Sequence, residues 1–482
     1  MNNSEIGTQS SSASTPSRIG ARAALALGVL AGGQLLIVVD ATIVNVALGP
    51  IRDGLAFSAT QLQWVITAYT LAFGGLLLIG GRAADRFGHR RTFLLGAAAF
   101  GLASLAGGGA TNQLVLVAAR AVQGAGAAMM APAALALVMQ LFPPGRTRTM
   151  AFGIWAGVTA GGTALGSVLG GVLTEAISWR WVLWINVPAI AVVVALGLLL
   201  LPRSSATPKA PIDLSGAITA TGGLTLLVYG LTRTAEHGLS GETLLTLGAA
   251  VALLLSFTVL QATRVTPLLP ASILRNQTVV AANIVGLVLG VAIYALFYFV
   301  SLFLSTVQGK DPVYVGLAFV PMTAAIAVAA RVTGALTGRV SASHLSAIGA
   351  VLVALGLGLL SRIDPGSGYA GTLLPGLIIA GIGLGITFAP LTAAAMSSAA
   401  PADSGIASAV FNAAQQIGGA LGLATLTTIS TAITARSDTP RSAQATTEGW
   451  SRALLVATAL TCLAAVLAAT LIKPSDRSTG ER

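Results

Sequence analysis

Asp40 lies in the middle of Gln34-Leu-Leu-Ile-Val-Val-Asp-Ala-Thr-Ile-Val-Asn-Val-Ala-Leu-Gly-Pro50, a stretch with the composition of the far half of a membrane-spanning helix. It is the one carboxylate placed deep inside any apolar segment of the chain. An ionised side chain is costly at that depth, so a carboxylate there points to function; a satisfied polar packing residue is the plainer alternative. Arg120 occupies a second apolar segment. At 1.5 Å per residue, Asp40 lies about 15 Å and Arg120 about 12 Å below the same membrane face, counted from Pro50 and Asn112. A buried charge seeks a partner, so the two are expected to pair, directly or through water, Gln123 or Gln34. The pair could be a coupling device or only a structural ion pair. Burial favours the neutral acid and a nearby guanidinium favours the carboxylate. A conformational change that alters either would move a proton.

Composition demands a membrane. Of 482 residues, 55% are hydrophobic and 9% charged, against roughly 25% charged in soluble domains. That deficit excludes a long water-soluble α/β enzyme. The net charge of +11 could suggest nucleic acid, but no basic, aromatic-rich soluble domain is present to bind it. The excess reads instead as loop charge that orients the chain in a bilayer. Cys462 has no partner for an internal disulfide and reads as a small packing residue. His89, His237 and His344 lie in or beside loops without cysteine or paired-carboxylate neighbours, so no metal or cofactor is expected and no enzymatic activity. No phosphate loop is found, which argues against ATP as the energy source.

A spanning helix needs about 20 apolar residues. Six such spans fit within 23–201, two within 214–262 and six within 279–472, about fourteen in all. A Ser/Thr-rich tail at 1–22 is expected to be disordered, and no cleavable signal peptide is read from it. A Pro-rich linker covers 202–213, a loop 263–278 and a tail 473–482. An even span count puts both termini on one side. With that side cytoplasmic, sixteen Lys and Arg residues fall inside and eight outside, so both termini are expected in the cytoplasm of a multi-pass plasma-membrane protein.

Between the second and third spans runs Gly81-Arg-Ala-Ala-Asp-Arg-Phe-Gly-His-Arg-Arg91. Gly81 and Gly88 permit close approach and a tight turn. Asp85 can pair with Arg or a helix N-terminus, and Arg86, Arg90 and Arg91 can clamp carboxylates or helix C-termini. A basic loop that merely sets topology is the plainer reading. The pattern of Gly, Asp and Arg resembles the signature loop of the major facilitator superfamily. Asp40-Ala-Thr-Ile-Val-Asn-Val-Ala-Leu48 resembles the first-helix signature of its drug:proton antiporters with fourteen transmembrane helices. Arg120-Ala-Val-Gln-Gly-Ala-Gly-Ala-Ala128 resembles the fourth-helix signature. Gly157 to Leu173 resembles the antiporters' fifth-helix signature, and Ser178-Trp-Arg-Trp-Val-Leu-Trp-Ile-Asn-Val-Pro188 is similar to that branch. The chain departs at Ser167, where the signature usually has Pro, at Ala83, where Leu is frequent, and at His89, where a basic residue is frequent.

The resemblance implies an all-α integral membrane protein. Two six-helix bundles related by pseudo-two-fold symmetry would surround a central cavity, with two additional helices. It implies a proton-coupled antiporter that exports small apolar or cationic drugs or antibiotics by alternating access. A transporter of a defined metabolite, including a proton symporter, is the alternative. Asp40 and Arg120 would couple protons. Gly81, Asp85, Arg86, Gly88 and Arg90 would latch the cytoplasmic ends. Gly157, Gly162, Gly166 and Gly170, with Gly153, would form a smooth helix face that packs as a gate. Gln34, Asn45, Gln123, Asn283, Tyr294, Tyr298, Asn412 and Gln415 are candidates to line the cavity, although each alone is more often a helix–helix hydrogen bond. The expected partners are a small-molecule substrate, protons and the lipid bilayer, with no nucleic acid, no cofactor and a monomeric state. Arg331 lies near the inner end of its span and is expected to snorkel. Gly334-Ala-Leu-Thr-Gly-Arg339 is a faint echo of the loop in the second half.

Overall fold

The computed structural model describes residues 21–142, 145–202, 213–264, 275–336, 339–397, 404–439 and 442–472. The expected tails and the 202–213 linker lie wholly or largely outside them, as do part of the 263–278 loop and Thr337-Gly338 of the second-half echo.

Among the described residues, fourteen helices are long and apolar enough to cross a membrane. In the first bundle α1 covers Ala21–Val46, α2 Leu48–Leu55, α3 Ala59–Leu62, α4 Trp64–Phe87, α5 His89–Gly108, α6 Gln113–Leu141, α7 Arg146–Ala176, α8 Trp181–Trp184 and α9 Asn186–Leu200. The two additional helices are α10 (Leu214–His237) and α11 (Gly241–Thr263). The second bundle holds α12 (Gln277–Leu302), α13 (Pro312–Ala318), α14 (Val320–Leu336), α15 (Ala342–Leu360), α16 (Leu374–Met396), α17 (Ser404–Ala435) and α18 (Ala443–Leu471). Short polar residues set many of the starts. Asn112 accepts from the Val115 amide at 3.0 Å, and Asp311 accepts from the Tyr314 amide at 2.7 Å ahead of Pro312. Such caps satisfy amides that have no intrahelical partner. The first expected span is interrupted after Val46 and resumes as α2.

The bundles meet along one seam, with hydrogen bonds and close glycine contacts toward the face that carries Arg52. Ser301 donates to the Asn45 carbonyl at 2.5 Å, and the Val313 amide to Glu175 Oε2 at 3.2 Å. Ser167 and Gly171 of α7 sit against Gly316 and Pro312 of α13, so close that a Cβ on Gly171 would lie 2.5 Å from the Pro312 carbonyl. A deeper contact is mid-membrane, where a Cβ on Gly74 would lie 2.8 Å from Gln416 Cβ. Toward the opposite face, which carries Gly88, an added Cβ at Gly153 or Gly157 would meet nothing within 4 Å.

Helix α10 straddles this seam. Gln63, fully buried at the start of α4, donates to Thr232 Oγ1 at 3.0 Å and accepts from Thr427 Oγ1 at 2.7 Å. Thr428 of α17 donates to the Leu231 carbonyl at 3.1 Å. Helix α11 packs behind α10 and buries only Thr243 and Ala250.

A polar clasp closes the α10–α11 pair near the Gly88 face. Asp213 accepts from Arg264 Nη1 at 2.8 Å, Gln261 Nε2 at 2.7 Å and the Gly216 amide at 2.8 Å. Burial alone would raise the Asp213 carboxyl, but these bonds, with that from Ser215, outweigh it and hold the group below its ordinary 3.8. Its stabilising contribution is therefore complete above that value and lost as pH falls through the depressed folded value. Asp213→Asn is expected to destabilise the protein by about 1–2 kcal/mol at neutral pH. Melting curves in detergent check this: the gap between variant and wild type closes in acid, and a gap constant with pH would exclude an ionised clasp.

Cys462 corrects an expectation. It is exposed on α18 rather than packed, because its side chain points away from the bundle.

Candidate functional site

Helix α1 carries Asp40 among the buried side chains of Val39, Ile43 and Val44. Small residues on the neighbouring helices bring backbones close enough to reach it. A Cβ on Gly124 of α6 would lie 2.2 Å from the Tyr69 carbonyl of α4, and one on Gly80 would lie 2.0 Å from the Ala128 carbonyl. Only glycine allows such an approach. It brings the Tyr69 ring against the Arg120 guanidinium, whose centre lies 4.4 Å from the ring centroid.

Asp40 and Arg120 touch directly. Arg120 Nη1 donates to Asp40 Oδ2 at 2.5 Å, and the two side chains are 0% and 2% exposed. The arginine also donates through Nε to the Val65 carbonyl at 2.9 Å and through Nη1 to Gln123 Oε1 at 3.0 Å. Asp40 Oδ1 accepts from Gln123 Nε2 at 3.0 Å and from Asn186 Nδ2 at 2.8 Å. Gln123 Nε2 is also 2.7 Å from Ser104 Oγ. A buried ion pair persists only when its remaining donors and acceptors are satisfied, and here five helices supply the partners. The three atoms bonded to the Asp40 carboxylate, Arg120 Nη1, Gln123 Nε2 and Asn186 Nδ2, are all donors.

Sequence reasoning reached Asp40, Arg120 and Gln123. It missed Asn186, Ser104 and Tyr69. Asn186 stood inside the quoted Ser178–Pro188 stretch, and a primary amide at the head of an apolar helix was a usable signal. Ser104 and Tyr69 carried none, since small hydroxyls and single tyrosines are common in spanning helices. Gln123 belongs to the ion-pair cluster rather than to a cavity wall.

The loop residues bond both within the loop and to neighbouring helices. Asp85 Oδ1 lies 3.3 Å from His89 Nε2, and Arg90 donates to the Leu198 carbonyl near the end of α9. Gly88 turns the chain with φ of +94°, a region that favours glycine. Gly81 is less crowded than expected, with Pro132 Cβ at 3.8 Å from an added Cβ; the close approach belongs to Gly80 beside it.

On α7 the packing face covers only part of the expected glycines. Added Cβ atoms at Gly162, Gly166 and Gly170 would strike Leu35, Thr42 and the Ile43 carbonyl of α1 at 3.0, 2.0 and 2.6 Å. Gly157 does not join them, because nothing approaches it within 4 Å. Ser167 leaves the backbone amide that Pro would remove, so α7 runs unbroken; its hydroxyl bonds the Thr163 carbonyl at 3.1 Å.

The remaining candidates divide by depth. Asn45 and Tyr298 lie toward the Arg52 face, where Tyr298 reaches the Ala59 carbonyl at 3.4 Å. There, with Arg52, Thr427 and Trp450, it lines a cavity of about 600 Å³. Deeper in the bundle, Tyr294 donates to Gln416 at 3.0 Å. Gln34 Oε1, Asn283 Oδ1 and Gln415 Nε2 are buried without a partner among the described residues. Buried polar atoms are rarely left so. Asn412 is exposed and bonds its own helix at Ser408. Arg331 is exposed on α14.

Fourteen spans, with a buried ion pair held by side chains and backbone from five helices of the first bundle, define a multi-pass membrane protein. The family model of the Major Facilitator Superfamily matches residues 30–423, and the chain belongs to that family. It is 40% identical to the puromycin resistance protein pur8 of Streptomyces alboniger, over 94% of this chain and 92% of that one. It is 41% identical to the cephamycin export protein CmcT of Amycolatopsis lactamdurans, over 84% and 85%. The inward open conformation of the xylose transporter XylE from E. coli superposes with a TM-score of 0.64 over 94% of this chain and 97% of that one, at 14% identity, a likeness of fold.

Proposed function

We propose that this transporter is a proton-driven antiporter that exports small apolar or cationic drugs or antibiotics by alternating access. The buried Asp40–Arg120 pair carries the reading: it is a titratable group at mid-membrane depth with a partner whose geometry can change. The puromycin resistance role of pur8 and the cephamycin export role of CmcT support the substrate class. Loop charge supports the Gly88 face as cytoplasmic, with both termini there. The contacts between the bundles that cluster toward Arg52 then support an inward-facing state. In that state Asp40 is ionised, having released its proton inward, and drug enters from the cytoplasm toward Gln34, Asn283 and Gln415. In the outward-facing state Asp40 takes a proton and drug leaves. Gly162, Gly166 and Gly170 act as the gate of the Arg52 face, and Gly81, Asp85, Arg86, Gly88 and Arg90 form the cytoplasmic latch. The bundles 23–201 and 279–472 move against each other as a monomer, with no cofactor and no nucleic acid.

The test is efflux of puromycin and ethidium from cells making the protein, with and without a protonophore. The protonophore is expected to raise retained compound to the level of cells without the protein. Undiminished efflux in its presence would exclude proton drive.

A further inference from the structure

We propose that Asn186 is a positioning residue that serves both protonation states of Asp40. Its amide nitrogen donates to the carboxylate, and after a half-turn of the amide its oxygen accepts from the carboxylic acid. This rests on the reading of Asp40 as the proton carrier.

The protonation step forms one O–H bond on Asp40, with a proton taken from the outer medium, and breaks none in the protein. It turns an acceptor into a donor. The guanidinium of Arg120 cannot accept. Gln123 is committed at both ends, its Oε1 to Arg120 and its Nε2 to Asp40 and Ser104. Ser104 donates to the Phe100 carbonyl at 2.9 Å. Asn186 is 0% exposed, and while its Nδ2 lies 2.8 Å from Asp40 Oδ1, its Oδ1 is buried without a partner among the described residues. An orphaned buried carbonyl requires an explanation. Here it is the acceptor held in reserve for the other protonation state. A primary amide carries donor and acceptor on nearly the same outline, so the exchange needs rotation of one side chain and no backbone movement.

Few other groups can compete for this role. The charged side chain bonded to Asp40 is Arg120 from α6, and the Tyr69 ring of α4 lies against that guanidinium, its hydroxyl buried without a partner among the described residues. Helix α7 between Met150 and Thr174, and all of α9, carry no ionisable side chain. Helix α12 brings Tyr294 and Tyr298, whose hydroxyls bond Gln416 and the Ala59 carbonyl. Arg52 and Asp53 of α2 pair with each other. Glu175 accepts from the Val313 amide, and Tyr314 of α13 lies beside Lys310.

Infrared titration of the purified protein in lipid tests this. Protonated Asp40 gives a carboxylic carbonyl band, identified by its loss in Asp40→Asn. The band is expected at a hydrogen-bonded frequency in wild type and shifted up to that of a free acid in Asn186→Leu. A band that stays in place in Asn186→Leu overturns the inference and leaves Asp40 as carrier. Absence of any acid band in wild type at every pH overturns the reading of Asp40 and the inference with it. A second measurement needs no change at Asn186. In protein labelled with carbon-13 at the asparagine side-chain carbonyl, the difference spectrum on protonation is expected to contain a labelled amide band that disappears in Asp40→Asn. A spectrum without that band overturns the proposal even if Asn186→Leu does not fold.

Discussion

Asp40→Asn is expected to reduce proton-driven efflux to the background of cells lacking the protein. The change preserves shape and removes the titratable group. It also removes the counter-charge of Arg120, which is almost fully buried. Stripping one partner from a buried pair costs about 3–5 kcal/mol when the other charge is left uncompensated. Part of that is offset here, because Arg120 keeps the Val65 carbonyl, Gln123 Oε1 and the Tyr69 ring face. The new amide also presents two hydrogens to an array of donors: Arg120 Nη1, Gln123 Nε2 and Asn186 Nδ2. At least one amide must turn, so a lower melting temperature accompanies the functional loss. Efflux under an imposed pH gradient, normalised to folded protein, is the deciding measurement. A normal rate would remove Asp40 from the coupling step.

Arg120→Lys is expected to uncouple transport although charge is retained. The guanidinium bonds Asp40, Gln123 and the Val65 carbonyl while its plane lies against Tyr69. An ammonium on a four-carbon stem is a single point with no planar face, and it gives up its proton readily when desolvated. Beside a buried carboxylate it can pass that proton across and leave a neutral pair with nothing to exchange. Losing two of the charge-assisted bonds would cost about 3–6 kcal/mol if neither were replaced. Adding puromycin to purified protein in weak buffer checks this. Wild type is expected to release protons and Arg120→Lys is not. Equal release would return Arg120 to a purely structural ion pair.

The two expectations depend differently on what the chain shows before folding. The depths of Asp40 and Arg120 follow from helix rise and from where apolar runs begin and end, so their approach was legible in one dimension. Their direct contact was not. It depends on which helix faces meet, and glycines such as Gly80 of α4 and Gly124 of α6 set the close backbone approach of α4 and α6 beside the pair. The expected close approach at Gly81 was off by one residue for the same reason: neighbouring positions on a helix point about 100° apart.

The solvent, the count of spans, the six-two-six order and the mid-membrane charges are all legible in the unfolded chain. Each depends on composition, hydrophobic length and loop charge, which are properties of single segments. Only the tertiary structure decided that Asn186, Ser104 and Tyr69 complete the Asp40 site, that α10 bridges the seam through Gln63, Thr232 and Thr427, and that Gly157 stands clear of the packing face. Those facts require knowing which helix faces meet. A hydrogen bond such as that between Asn186 and Asp40 joins residues 146 positions apart in the chain, and its 2.8 Å geometry exists only once the helices that carry them have packed.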